Sequence, residues 1–466
     1  MASNKISRRD FLGRSISAGA GLSLALSSQA FGKFAALPRA KPNVLVVFSD
    51  QQHWQAVGFR NPFFDTPNQD ALAKESMVFE RSFCTTPQCS PSRSSLMTGF
   101  YPSTTGVMGN MHAAGGNPLE QETLGKELQD AGYYTGYFGK WHLGEKEVAT
   151  AGWDKEFRKT NDPKAEANAV DFLRNLGDTK KPFAMFVSLH NPHDIYYFKR
   201  HKPETSVDNI KLPTSWDNET FENKPSIQKQ FMEDDQGKVI IGKPKKEWQT
   251  YRDCYRSKNK LYDQNVGVIL GELKRQGQLE NTIVIVTSDH GDMDTEHKLI
   301  FKGPFMYEHM MRIPLMIRVP KRLDKVGPKL IKDVDVVNVD IAPTIREFCG
   351  LEAKECDGMS LVPLFTGAKG YKGREFVIGQ YYSKQRWVNP IRMIRTKDFK
   401  FNKHIRWEDE LYDLKNDPHE LKNLAKDPKF AAVKDDLAKK LDKWMKEHND
   451  PFYSLKPTNR KGKELS

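Results

Sequence analysis

No run of about 20 apolar residues occurs in this 466-residue chain, so no segment reads as a membrane-spanning helix. The longest weakly apolar stretch, Ile16 to Leu26, is far too short. Cysteine is scarce, and five residues do not make a disulfide framework. Absent too are an internal repeat of solenoid period and an arginine-rich stripe interleaved with aromatics, which removes repeat architectures and leaves nucleic acid without a footprint. What the chain does have is a core-forming composition, 38 % hydrophobic and 28 % charged residues with 27 Phe and 8 Trp, which excludes wholesale disorder. Its length, about three times a usual domain of roughly 150 residues, predicts two or three domains.

The first residues carry a pattern of their own. Ser7-Arg8-Arg9-Asp10-Phe11-Leu12 precedes the short apolar stretch, and Ser28-Gln29-Ala30 supplies a small-x-small cleavage site. Paired arginines followed by Phe-Leu resemble a twin-arginine export signal over residues 1–30. That resemblance implies the twin-arginine export machinery as a partner, passage in the folded state, and a periplasmic or secreted location. Removing the segment leaves 68 basic and 59 acidic residues, a net charge of +9. A basic exported protein points toward an acidic partner, and sulfated or carboxylated polysaccharide fits better than nucleic acid.

Four short runs read as buried parallel strands: Asn43 to Ser49, Tyr133 to Gly139, Pro182 to Leu189 and Thr282 to Ser288. Helical patterns lie between them, one from Thr123 to Ala131 with Thr123 as N-cap, another from Trp248 to Gln276 that stops at Gly277. The alternation predicts an α/β fold, a large mostly parallel mixed sheet flanked by helices, expected over residues 41–365. Just past the strand ends stand Asp50, then Lys140 with His142, then His190 with His193, then Asp289 with His290. Ligands of open α/β sheets bind outside the carboxyl ends of the strands, so residues more than 200 positions apart are expected to meet in one cleft.

From Phe376 the pattern turns to short alternating runs and then a basic amphipathic helix from Phe430 to His448. This predicts a smaller C-terminal α+β domain over 370–453, an antiparallel sheet plus a helix. The Lys-rich residues 454–466 read as a flexible tail. Residues 195–247, long, polar and mixed in charge, read either as a substrate-facing loop or as a solvated excursion.

Cys89 opens the run Cys89-Ser90-Pro91-Ser92-Arg93-Ser94-Ser95-Leu96-Met97-Thr98-Gly99. Ser90 as cap, Pro91 at the first helical position and Gly99 as the stop frame a short helix. Cys89 would then face backbone N–H groups at the positive end of the helix dipole, either as a thiolate nucleophile or as a buried structural cysteine. The run resembles the sulfatase signature C-x-P-S-R-x-x-x-x-T-G, and Gly132 to His142, GYYTGYFGKWH, resembles the second signature of the same family. The likeness continues at Asn43 to Asp50, Asn191-Pro192-His193, Ser288-Asp289-His290-Gly291, Lys302 and Glu308. It resumes at Leu411-Tyr412-Asp413-Leu414, Asp417-Pro418, Glu420 and Asn423-Leu424. It therefore covers nearly the whole mature chain and implies a formylglycine-dependent sulfatase of the alkaline phosphatase superfamily.

By that resemblance Cys89 would be oxidised to formylglycine by a formylglycine-generating maturation enzyme in the cytosol. The aldehyde hydrates to a geminal diol, one hydroxyl attacks the sulfur of a sulfate ester, and the alcohol leaves. The second hydroxyl then loses its proton and expels sulfate. Asp50, Gln51, Asp289, His290 and residue 89 would hold one Ca2+ per chain, which lowers the pKa of the diol and neutralises the sulfate. Gln51 stands where many relatives have a second Asp and so removes one negative charge. Imidazole is an unusual ligand for a hard cation, which leaves His290 either a metal ligand or a contact for the leaving group. Arg93 would hold the diol and the metal-site carboxylates, with Lys140 near the sulfate and His142 as base for the elimination. His193 with Lys302 would serve the departing oxygen, with His190 as the competing choice. His297 is a candidate substrate contact, and His53 with Trp54 reads as pocket lining or as packing.

The sequence leaves three functions open. One is an exported sulfatase acting on sulfated polysaccharides or oligosaccharides. A second is a phosphonate monoester or phosphodiester hydrolase of the same superfamily, whose members share the formylglycine, the Asp-Gln pair and the Asp-His pair. The third is an inactive binder of acidic glycans. Cys84, Cys254, Cys349 and Cys356 read as ordinary thiols, and Cys349 can pair with Cys356 only if their Cα atoms come within about 7 Å.

Overall fold

A computed structural model of the chain describes residues 41–144, 152–178 and 181–465. The export-signal segment lies outside the described residues. Strand β1 (Asn43–Asp50) is buried along its whole length. Val44, Val46 and Phe48 join one apolar core while Leu45 and Val47 join another, as period-two geometry requires of a strand covered on both faces.

Seven more strands complete its sheet: β2 (Met77–Phe83), β3 (Tyr134–Gly139), β4 (Lys155–Phe157), β5 (Phe183–Pro192), β6 (Thr282–Ser288), β7 (Leu315–Arg318) and β8 (Lys329–Val337). Their order is β4-β3-β5-β1-β6-β7-β2-β8. Every neighbouring pair is parallel except those made by β7, which runs antiparallel to β6 and to β2. The four strands expected from sequence are β3, β5, β1 and β6, and they are contiguous. In register, Ser49 pairs with Leu189 and Ser288, and Gly139 pairs with Ser188, so the four carboxyl ends lie level.

Thr123 caps the helix Leu124–Asp130 by accepting from the Lys126 amide, as its position predicted. The long helix Lys245–Arg275 lays Tyr262, Val266, Ile269 and Leu273 on the sheet, and its first half sends Trp248, Tyr251 and Tyr255 into a separate core. Among the described residues no helix is long and apolar enough to cross a membrane.

The C-terminal part builds a second sheet, antiparallel, from β9 (Val377–Lys384), β10 (Trp387–Arg395), β11 (Phe399–His404) and β12 (Glu410–Asp413), in the order β12-β11-β10-β9. One face packs Ile378, Ile394, Phe401 and Leu411 on Leu437, Leu441 and Trp444 of the helix Ala431–Glu447. On the other, Tyr381, Ile391, Met393 and Tyr412 share a core with the first half of the long helix.

Two sequence readings change. Residues 195–247 are more than a loop or a solvated excursion: between irregular stretches they hold short helices at His193–Arg200, Thr214–Asn218, Ser226–Asp234 and Gln236–Val239. Their Ile195, Phe198, Leu212, Ile227, Phe231, Met232 and Ile240 are buried in that same shared core. The apolar residues are spaced too irregularly to show in a one-dimensional scan of a polar segment. The tail also makes contacts that its Lys-rich composition did not suggest, with Thr458 receiving the Val388 amide at 2.9 Å and Arg460 meeting Asp235 at 3.0 Å.

Candidate active site

Cys89 is the first residue of the helix Cys89–Thr98, which follows an extended Gln88 and ends on Gly99 in the left-handed region at φ 86°. Ser90 therefore sits inside the first turn instead of capping it, and its hydroxyl accepts from the Met111 amide at 3.1 Å. One turn along, Arg93 shares the face of Cys89. Its Nε donates to Asp289 at 2.9 Å and one Nη to Asp50 at 3.2 Å, and the other reaches Ser188 Oγ and the Lys140 carbonyl, each at 2.6 Å. A single buried guanidinium thus ties together the ends of β1, β3, β5 and β6.

The Cys89 sulfur is the meeting point of groups from distant parts of the chain. Lys302 Nζ lies 2.8 Å away, His290 Nε2 3.3 Å, Asp50 Oδ1 3.5 Å and Lys140 Nζ 3.6 Å. Burial and the Asp50 carboxylate oppose ionisation of this thiol. Lys140, Lys302 and His290 outweigh both and hold it well below its ordinary range. Asp50 is likewise held low against burial, by Lys140, His193, Lys302 and Arg93. Burial and the neighbouring Asp50 push Asp289 up. Lys302 is raised against burial by Cys89 and Asp50, so it is firmly protonated.

Ligand atoms of Asp50, Cys89, Asp289 and His290 all lie within 4.8 Å of one another. Beside them the Gln51 side-chain carbonyl is buried without a donor, while its amide nitrogen is held by Asp292 at 2.6 Å. Two carboxylates, an unclaimed carbonyl and an imidazole fit a hard divalent cation, with the imidazole the least typical of the set. His290 Nδ1 faces the Gly291 carbonyl at 2.8 Å, which turns Nε2 toward Cys89.

The other histidines separate. His142, at φ 62°, interacts with Cys89, and burial lowers its pKa. His193 interacts with Asp50, Lys302 and Lys140, and burial followed by these lysines leaves it well below the usual imidazole range. The His190 ring lies beside that of His193, tilted by 46° with centroids 4.4 Å apart, but its Nε2 faces Asp194 at 3.4 Å. His53 does not line the site: it is enclosed by Tyr255, Phe64 and His309, with Nε2 3.5 Å from Asp294. Nor does His297, which stacks on Tyr307 and pairs with Glu219 at 2.8 Å. All five cysteines are free, Cys349 and Cys356 included.

Three contributors escaped the sequence reading. Ser188 and Asp292 anchor Arg93 and Gln51; Asp292 was within reach, three residues beyond Asp289 in the run Ser288-Asp289-His290-Gly291-Asp292. Lys384 gave no local signal, since it comes from β9 of the other sheet to donate to the Lys302 carbonyl. Lys302 itself ends a loop in which Asp294, Thr295, His297, Lys298 and Phe301 all have positive φ. Such a backbone persists only when clamped. Ser215 and Glu219 of the 195–247 segment supply the clamp through Glu296, His297 and Lys298.

Comparison with known proteins agrees with this geometry. The sulfatase family profile matches residues 42–351, and that of the N-sulphoglucosamine sulphohydrolase C-terminal region matches 295–447. The chain is 29 % identical over 469 aligned positions to the uncharacterized sulfatase YidJ of Escherichia coli, covering 90 % of each. It is 28 % identical to the Delta 4,5-hexuronate-2-O-sulfatase of Bacteroides thetaiotaomicron, covering 91 % of this chain and 92 % of that one. The solved structure of BT1596, a 2-O GAG sulfatase, superposes with a TM-score of 0.78 at 25 % identity, over 90 % of this chain and 95 % of the other. This chain belongs to the sulfatase family of the alkaline phosphatase superfamily and is a sulfuric ester hydrolase.

Proposed function

We propose that the protein is an exported sulfatase that removes sulfate esters from polysaccharides or oligosaccharides, with Cys89 matured to formylglycine and one Ca2+ bound. The observation that carries this reading is the crowding of Lys302, His290 and Lys140 onto the Cys89 sulfur at the first turn of a helix. That sulfur stands in for the oxygens of the hydrated aldehyde. Ca2+ held by Asp50, Gln51, Asp289 and His290 would lower the pKa of the nucleophile and neutralise sulfate. Formylglycine would supply one hydroxyl to attack sulfur and a second to release the sulfate afterwards.

The surrounding side chains take roles set by charge. Arg93 fixes Asp50 and Asp289 in place and Lys140 binds a sulfate oxygen. His142, neutral because it is buried, is suited to accept the proton of the elimination. In the ligand-free protein Lys302 holds a proton and His193 does not, so Lys302 stabilises the departing oxygen at the outset. The negative charge of a bound sulfate would raise His193 and let it donate. In this reading residues 41–365 carry catalysis, 370–453 shape the substrate side, and Arg8-Arg9 direct export after maturation.

The test begins with the mass of the peptide carrying residue 89, taken from protein exported by its own host. A mass below that of the encoded peptide by the thiol-to-aldehyde difference is expected, and an unmodified thiol throughout would sink the mechanism and favour an inactive glycan binder. Matched sulfate and phosphonate monoesters should then be compared. Faster phosphonate turnover would move the assignment to the phosphonate hydrolases, whose Asp-Gln and Asp-His pairs match Asp50-Gln51 and Asp289-His290.

A further inference from the structure

A cavity of about 720 Å³ opens between the loop after β1 and the long helix Lys245–Arg275, roofed by the 205–212 segment. Its size falls within the roughly 300–1,000 Å³ of small-ligand sites. Lys211, Arg252 and Arg256 line it, and no carboxylate does. The remaining polar wall is neutral, made by Asn61, Thr205, Ser206 and Asn209. None of these residues belongs to the Cys89 cluster.

The two arginines are set in place. Their guanidinium carbons lie 4.9 and 5.0 Å from the centre of the Phe63 ring, which orders both by cation–π attraction. Arg252 is nine-tenths buried, donates to the Lys211 carbonyl at 3.2 Å and meets Asp294 at 3.3 Å, yet its Nε has no acceptor. Arg256 is held by Asp253 from outside the cavity lining. A second cavity of about 420 Å³ shares Thr205 and Ser206 with the first and adds Lys199 and Lys246, which pair with Glu247 at 2.8 Å and Asp208 at 3.3 Å. With those pairs made, Lys211 and the free Nε of Arg252 are the donors that the larger cavity offers an anion, beside the outer nitrogens of Arg256.

The geometry points to an accessory binding site for an anionic sugar unit, sulfated or carboxylated, of a glycan chain. Lys211, Arg252 and Arg256 take the anionic group, and Asn61, Thr205, Ser206 and Asn209 take ring hydroxyls. The inference rests on the glycan-directed reading above, and it extends that reading to a second contact that lets a long chain stay bound between cleavage events.

Dextran sulfate is the probe, and binding is measured by calorimetry on the full mature protein. The variants are Asn209→Trp, which fills the cavity without changing charge, and the double change Lys211→Gln with Arg256→Gln. A charge-matched control changes Lys439 and Lys443 to Gln on the distant helix Ala431–Glu447. Each cavity variant should bind about tenfold more weakly, with a shallower salt dependence for the double change, while the control stays within about twofold. Equal losses in cavity and control variants, or no loss in any, would overturn the site. Asn209 is exposed, so that variant remains informative even if the double change melts early. Sulfate release by the unaltered protein is scored separately. An inactive protein whose cavity variants alone lose dextran sulfate would refute the hydrolase reading and leave the cavity site standing.

Discussion

At the scale of single residues, Lys302 is the most exposed to test. It touches the Cys89 sulfur at 2.8 Å and is held protonated, so in the proposed mechanism its charge would serve an oxyanion that develops as the alcohol departs. Lys302→Met should lower kcat by about 10²–10³-fold on a sugar sulfate, in line with loss of one preorganised donor. On 4-nitrophenyl sulfate, whose leaving group needs little help, the loss should be much smaller; equal losses would assign Lys302 to sulfate binding instead. His309 makes a pH prediction. Burial pushes its imidazole down to about 4, so it stays neutral in the fold where an unfolded chain would protonate near 6.5. Below 6.5 the unfolded state binds the extra proton, and stability falls until about pH 4, by roughly 3 kcal/mol at most. Melting of His309→Gln between pH 7 and 5 should decline less steeply than that of the unaltered protein. His53, a ring contact away, shows why a lone histidine beside a motif was ambiguous in sequence: its neighbours Phe64, Tyr255 and His309 come from three separate segments.

At the scale of elements, the end of β3 is where backbone geometry sets chemistry. Gly139 has φ 104°, and a Cβ built there would lie 1.9 Å from the Ser188 carbonyl of β5. Gly139→Ala must push the two strand ends apart, and those ends carry Lys140 and the Ser188 hydroxyl that holds Arg93. More than about 1 kcal/mol should be lost from the backbone conformation alone. Because Lys140 moves with it, kcat should fall in crystals or solution even where the variant remains folded at the assay temperature. The regular elements were legible for a plain reason: β1, β3, β5 and β6 are short apolar runs buried on both faces, and the long helix has a clear apolar stripe. Ser90 is not the cap because the helix starts two residues earlier, at Cys89 instead of Pro91, a difference that side-chain type alone does not resolve.

At the scale of the whole molecule, the two sheets are joined by a buried charge network. Glu308 pairs with Arg395 at 3.0 Å and with Lys400 at 2.8 Å, and Glu420 accepts from Lys400 at 2.7 Å and from the Glu308 amide at 2.8 Å. Burial opposes the Glu308 charge, but Arg395, Lys400 and Arg312 hold its carboxyl far below the usual range. Removing one partner strands the others, so Glu420→Ala should cost about 3–5 kcal/mol, read by denaturant unfolding. A single shifted transition is expected, since the sheets share a core. Chelation acts at the same scale. Asp50 and Asp289 are brought together in a fully buried site, and taking a bound cation away should lower the melting temperature and abolish turnover, both restored by Ca2+. A protein indifferent to chelator would exclude a tightly bound, exchangeable metal at these residues.

The chain by itself determined four contiguous strands of the main sheet, the presence of a short helix in the Cys89 run, and the meeting of Asp50, Cys89, Asp289 and His290, because motif residues sit next to strand ends whose hydrophobic pattern is local. It also carried Glu308 and Glu420 within the family likeness, though not that the Glu308 amide donates to the Glu420 carboxylate. Only the tertiary structure decided that His53 packs among Phe64, Tyr255 and His309 and His297 pairs with Glu219, that Lys384 supports Lys302 from the second sheet, and that residues 195–247 clamp the Lys302 loop and roof a cavity lined by Lys211, Arg252 and Arg256. Those outcomes depend on pairs of side chains from about 40 to more than 200 positions apart. Periodicity records which face of a strand or helix is apolar, but the identity of the partner across that face is fixed only when the layers close.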